Sequence, residues 1–298
     1  MEIDVDFNMN AKASLCFKTL NDLNYQQIND ISKVSKDSII AGFGGLGEDC
    51  CKAFIFHVSL NEKLSENEVL DRYDLIEEYV RKIFGQAAEI ILYDTKKSLI
   101  EHTWSKNESL SIKSLLGEVR KNLTLEFIRR IDSNKHAILL YQNEKSKSEV
   151  LGAFFDDKVT GQSAKGMYSV PPVNVKSSTN LSIMSIGELL ETDKQAAIRN
   201  LDKWIADVHL KNRDLYATTR IAGEDDTWLL ESGLLDEVRS IEEIMARKIE
   251  SNMTILCTYK LSKLLQKNQE IVNAIISHHD CVIIDEPYTA FTRGPNKN

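Results

Sequence analysis

Several quick routes to a function are closed by what this 298-residue sequence lacks. Its five cysteines, Cys16, Cys50, Cys51, Cys257 and Cys281, are odd in number and form no C-x-x-C pair, which argues against a disulfide framework. No apolar segment of signal-peptide type follows Met1, so reduced thiols in a cytoplasm are the expectation. Apolar runs such as AEIILY and CVII fall far short of the roughly 20 residues that cross a bilayer. Positive charge is not in surplus: the formal charge of -8 leaves no global field to draw the chain onto phosphate backbones or anionic lipid. Internal repeats and low-complexity tracts are missing too.

What remains is ordinary globular composition, 42% hydrophobic and 28% charged, in a chain long enough for roughly two domains of about 100–200 residues. The first part reads as helical. A helix is expected over Tyr25 to Ser38, a second over Glu48 to Leu60 with two acids in its first turn, and a third over Ser65 to Phe84. In the third, Val69, Leu70, Tyr73, Ile76, Val80, Ile83 and Phe84 recur at three and four, the stripe of a core-facing helix. AAEIILYDTKKSLI fits a strand by its Ile-Ile-Leu-Tyr, yet Ala88, Ile91, Leu92, Thr95 and Leu99 also make a helical face, which is favoured. A further helix is expected from about Glu108 to Arg130.

At DSNKHAILLY the grammar changes, which places a domain boundary between residues 1–130 and 131–298. HAILLY, GMYSV, LSIMSI, LYATTRIAG, MTILCTY and CVIID read as strands. Helices are expected over Glu149 to Phe155, Asp193 to Leu210, Leu234 to Ile249 and Gln266 to Ser277, with KSKSEV and VPPVNVKSSTN as loops. Alternation of this kind predicts a mostly parallel sheet covered on both faces.

Motifs give less. GFGGLG at Gly42 to Gly47 has the letters of a dinucleotide-binding turn, but no firm strand precedes it, and Glu48 and Asp49 put negative charge where a pyrophosphate would sit. A turn ending one helix and starting the next is the better reading. GQSAKG at Gly161 to Gly166 opens like a P-loop and continues Met167, Tyr168, without the lysine and hydroxyl that ATP hydrolysis needs. Cys50 and Cys51 read as structural, and His278, His279, Asp280 and Cys281 as a helix end without ligand spacing. No motif calls for a metal or cofactor, and no G-x-S-x-G elbow marks a nucleophile. At the expected strand ends, where open α/β sheets display their ligand contacts, Tyr141, Arg220, Glu224 and Tyr259 are the candidate ligand-binding residues. Arg220 would pair an anionic group, Glu224 accept a donor or metal-bound water, and the tyrosines supply aromatic walls.

HAILLY, KGMYSV, TRIAGEDDTW, MTILCTYKLSKL and IVNAIISHHDCVIIDEPY, in that order over about Asn134 to Tyr288, resemble the MEDS family of sensory domains, degenerate relatives of KaiC/RecA-type ATPases. The turn at His278-His279-Asp280 and the insertion near Pro171 depart from the family pattern. GLGEDCCKAFIFHV and RKIFGQAAEIILYDTKKSLI, within Ser38 to Ile100, are similar to a small helical domain of archaeal signalling proteins. The resemblance implies a multidomain α and α/β protein: an N-terminal helical domain, then a three-layer KaiC/RecA-like domain with a mostly parallel sheet. It implies a non-enzymatic, cytoplasmic signal-transduction protein that binds a small molecule or a signalling partner, with no membrane association and with self-association open. The alternatives are a divergent nucleotide-binding ATPase, a ligand-free scaffold and a transcription-associated regulator. Direct DNA contact is disfavoured, because KWIADVHLKNR is the nearest approach to a basic recognition helix.

Overall fold

A computed structural model of the chain describes residues 16, 18–28, 31–103, 109–156, 163–169, 181–212, 215–216, 218–249, 252–286 and 288–294. It divides into two compact units, Asn29–Thr124 and Met1–Ile28 with Leu125–Asn298. Among the described residues no helix is long and apolar enough to cross a membrane.

The unit Asn29–Thr124 holds α1 (Ser32–Gly42), α2 (Glu48–Glu62), α3 (Glu66–Asp71), α4 (Tyr73–Phe84), α5 (Ala88–Glu101) and most of α6 (Ile112–Arg129). The helix expected over Ser65 to Phe84 is two helices. Arg72, at φ -102 and ψ 71, leaves the helical region between them. Upstream, Ser65 and Glu68 close a capping box at the start of α3. The ambiguous AEIILY run is helical and buries Ala88, Ile91, Leu92, Thr95 and Leu99. GFGGLG is a turn: Gly42 ends α1, and Gly47, at φ 88, precedes α2. A Cβ on Gly42 would lie 2.0 Å from Thr95 Oγ1 and 2.6 Å from the Ile91 carbonyl, so only glycine lets α1 and α5 approach this closely.

The second unit is mixed α/β. Its strands are β1 (Tyr25–Gln27), β2 (Lys135–Tyr141), β3 (Ala164–Ser169), β4 (Ser182–Ser185), β5 (Thr219–Gly223), β6 (Met253–Lys260), β7 (Cys281–Asp285) and β8 (Tyr288–Arg293). They form one eight-stranded sheet in the order β1-β8-β7-β2-β6-β5-β3-β4, parallel except where β8 meets β7 and β1. The helix expected from Tyr25 therefore begins as an edge strand. Through it the early residues group with the sheet, where a continuous helical domain over 1–130 was expected.

The helices are α7 (Glu144–Phe154), α8 (Gly187–Thr192), α9 (Lys194–Asn212), α10 (Thr227–Glu231), α11 (Leu235–Ile249), α12 (Leu261–Leu264) and α13 (Gln269–Ser277). KSKSEV, expected as a loop, lies inside α7, whose first turn is capped by the Asn143 side chain on the Ser146 amide. VPPVNVKSSTN lies outside the described residues.

Strand periodicity sorts the core into two layers. Ile138 and Leu140 of β2 face one core with Leu201 and Ile205 of α9, Ile241 and Met245 of α11 and Ile275 of α13. Ala137, Leu139 and Tyr141 face the other, with Leu125 and Ile128 of α6 and Val150 and Phe154 of α7. Burial on both faces explains why these parallel strands read as near-continuous apolar runs.

Candidate metal centre

The α9–α11–α13 core layer contains four fully buried polar side chains, His136, Glu242, Cys257 and His279, none more than 1% exposed. Topology gathers them from distant parts of the chain. His136 is the second residue of β2 and shares its face with Ile138 and Leu140. Cys257 lies on neighbouring β6 in register with Ile138. Glu242 interrupts the apolar stripe of α11 between Val238 and Met245, and His279 sits in the turn from α13 into β7. One ligand atom from each lies within 4.8 Å of all the others.

Hydrogen bonds to backbone carbonyls fix both imidazoles. His136 Nδ1 is 3.2 Å from the His278 carbonyl and His279 Nδ1 is 2.8 Å from the Ile275 carbonyl. A carbonyl only accepts, so each Nδ1 carries the proton and each Nε2 presents a lone pair. His136 Nε2 is 3.3 Å from Cys257 Sγ and 3.5 Å from Glu242 Oε2, and His279 Nε2 is 3.4 Å from the same Oε2. Glu242 Oε2 and His279 Nε2 are buried without a hydrogen-bond partner. Ligand atoms bound tetrahedrally at about 2.1–2.3 Å stand roughly 3.4–3.8 Å apart, which is close to the spacing of these three contacts.

A second ring of groups holds the first. Tyr259 donates to Glu242 Oε1 at 2.8 Å. Tyr168 lies 3.7 Å from Cys257 Sγ and donates to Asp226 Oδ1 at 3.0 Å. Tyr25 of β1 donates to the Ile276 carbonyl at 2.8 Å and also to the His279 carbonyl. Gly223 makes room for this packing, since a Cβ there would lie 2.6 Å from both Asp226 Oδ2 and the Tyr168 hydroxyl. Both imidazoles, the carboxylate and the thiol thus have outer partners, the arrangement that orients metal ligands.

Electrostatics favour neutral side chains here. Burial drives His136 down to about 3 and His279 well below the usual histidine range. Burial, aided by the charge of Asp226, lifts Glu242 to about 8, and burial lifts the Cys257 thiol well above its ordinary value. Asp226 is raised to about 7, again by burial. Two neutral imidazoles are already in the form a metal requires. A divalent cation would supply the charge that lets Glu242 and Cys257 ionise, leaving a neutral buried assembly. Two nitrogens, one oxygen and one sulfur suit Zn²⁺ and related d-block dications better than Mg²⁺ or Ca²⁺.

Beside the cluster, a groove of about 330 Å³ runs between α11 and α13, lined in part by Val238, Glu242, Glu243, Glu270, Ile275 and His278.

Of the four candidate residues read from sequence, Tyr259 alone reaches this cluster. Tyr141 pairs with Lys260, one step beyond Tyr259, and so faces the opposite core layer. There it is 1% exposed, with the Lys147 ammonium 4.6 Å from its ring centre. Burial, then the charge of Asp225, push its phenol above the usual range. Arg220 is the second residue of β5, about 13 Å along the strand from Glu224, and 3% exposed. Its guanidinium donates to the carbonyls of Phe154 at 2.5 Å, Arg129 at 2.9 Å and Ile131 at 3.3 Å, clamping the ends of α7 and α6 instead of awaiting an anion. Glu224 does follow the carboxyl end of β5, with its Oε2 buried and unpartnered. The HHDC segment, expected only to end a helix, contributes His279 to the cluster and the carbonyl of exposed His278 to its support.

Fold and cluster together define a mostly parallel α/β protein with a buried His-Glu-Cys-His constellation. No family model matches the chain, and no curated protein does. Among solved structures it is similar to EssC (ATPases 2 and 3) from Geobacillus thermodenitrificans, at 8% identity and a TM-score of 0.33 over 51% of this chain and 29% of that one. It is also similar to the cytoplasmic domain of EssC, at 10% identity and a TM-score of 0.31 over 50% of this chain and 31% of that one. The matched region spans under a third of either neighbour, and nothing about activity follows from likeness of that degree.

Proposed function

We propose that this chain is a non-enzymatic, metal-binding sensory protein that holds one d-block dication through His136 Nε2, Glu242 Oε2, Cys257 Sγ and His279 Nε2. The observation that carries the reading is the pair of imidazoles, each tethered by Nδ1 to a carbonyl, whose Nε2 lone pairs converge on an unpartnered buried carboxylate. Four protein ligands make the site closed, which is the character of a structural or sensing centre and not of a catalytic one. The ligands come from β2, β6, α11 and the α13–β7 turn, so an ion would tie α11 to the sheet. Binding can shift a conformation only through differential affinity for two states, and untying α11 is the difference this geometry offers.

A KaiC/RecA-like sensory domain remains our reading of the sheet-bearing unit, with the Asn29–Thr124 helices as the output or interaction part in a cytoplasmic setting. A detail at the β2–α7 junction supports the absence of nucleotide chemistry. There, where α/β proteins often cradle phosphate, the amides of Gln142 and Asn143 already donate to the Asp285 carboxylate at 2.8 and 3.3 Å. Elemental analysis of untagged protein tests the proposal. About one dication per chain is expected in the wild type, and little in a Cys257→Ala, His279→Ala double variant. A wild-type chain that purifies without an ion and takes none up would overturn it.

A further inference from the structure

A buried centre needs an entry path, and the following rests on the metal centre just proposed. Glu242 belongs both to the four-residue cluster and to the lining of the α11–α13 groove. It is 1% exposed, and its unpartnered Oε2 lies 3.5 Å from His136 Nε2 and 3.4 Å from His279 Nε2, so the residue that lines the groove also touches both imidazoles. Farther out, Glu243, Glu270 and His278 line the same groove from exposed positions, and none has an ion-pair partner among the described residues. Glu243 and Glu270 against Arg239 leave the groove net negative, while Val238, Ile271 and Ala274 give it low-dielectric walls that concentrate the field. A second cavity, about 260 Å³ at the amino end of β7, is lined by Arg130, Lys135 and Arg293 against Asp132 and Asp280, so its balance repels a cation.

We infer that the α11–α13 groove is the route by which a hydrated d-block dication reaches the centre. Glu243, Glu270 and His278 form an outer station, and Glu242 hands the ion from the groove to the two imidazoles. Stopped-flow uptake of Co²⁺ by the full chain, followed through the cobalt–thiolate absorption of Cys257, is the test. The triple variant Glu243→Gln, Glu270→Gln, His278→Gln is expected to take up Co²⁺ at least about 10-fold more slowly, with the same final spectrum and stoichiometry. Ala274→Phe, which fills the groove without altering charge, is expected to slow uptake as well. Unchanged rates in both variants, with a normal wild-type spectrum, would overturn the entry path and leave the centre standing. A wild-type chain that develops no cobalt–thiolate band would remove the centre itself.

Discussion

Replacing Glu242 by glutamine separates a metal ligand from a merely structural polar group. Without metal, Glu242 Oε1 accepts from Tyr259 at 2.8 Å, while Oε2 faces His136 Nε2 at 3.5 Å and His279 Nε2 at 3.4 Å with no hydrogen bond of its own. Glutamine keeps the acceptor for Tyr259 and turns two N–H donors toward the two imidazole lone pairs. Satisfying a buried polar group is worth about 1–3 kcal/mol. Taking about 1.5 kcal/mol, E242Q is expected to raise Tm by about 3–6 °C in the presence of a chelator. Excess Zn²⁺ should reverse the order, because an ion at about 1,000 times its Kd stabilises the wild type by about 4 kcal/mol and E242Q by far less. Thermal melts followed by circular dichroism, with EDTA and then with Zn²⁺, read both effects. A variant that melts well below wild type in EDTA, or equal zinc shifts in both proteins, would refute the reasoning.

Tyr259→Phe removes the donor that orients Glu242 and should weaken zinc binding about 10–100-fold in chelator competition while the stoichiometry stays the same. Arg220→Met leaves the carbonyls of Phe154, Arg129 and Ile131 without this donor and should cost about 1–3 kcal/mol in urea unfolding, with zinc affinity unchanged; near-wild-type stability would return Arg220 to the list of ligand contacts. Asp285 is fully buried and raised to about 6 by burial, so the folded state holds its proton more tightly than the unfolded one. Its contribution is fully present below about pH 4 and is lost as pH rises through about 6, so the stability of Asp285→Asn relative to wild type should rise by up to about 3 kcal/mol between pH 4 and 7.5. A difference that stays flat across that window would contradict this. Gly223→Ala drives a Cβ against Asp226 and Tyr168 and should destabilise by about 1–3 kcal/mol.

Much of the sheet was legible because β2, β6 and β7 are buried on both faces and read as unbroken apolar runs. β1 and β8 were not: YQQ and YTAFTR are short, polar-interrupted and paired antiparallel at one edge, so neither alternation nor a long apolar run announces them. The split at Arg72 was invisible to periodicity, since α3 and α4 bury Val69, Leu70, Tyr73 and Ile76 in one continuing core. The cluster escaped because its members have no mutual spacing in sequence. His136 and Cys257 meet only through the parallel pairing of β2 with β6. One signal was present: Glu242 follows Val238 by four residues and precedes Met245 by three, which puts a carboxylate on an apolar helical face. His136, two residues before Ile138, likewise falls on an apolar strand face. Tyr141 and Tyr259 looked equivalent as strand-end tyrosines, yet one step of register sends them to opposite layers.

X-ray absorption at the zinc K-edge of the reconstituted chain tests the central claim most directly. A four-coordinate ion is expected, with two imidazole nitrogens and one carboxylate oxygen at about 2.0–2.2 Å and one sulfur at about 2.3 Å, the sulfur shell vanishing in Cys257→Ser. A first shell of light atoms without sulfur or imidazole scattering would contradict it.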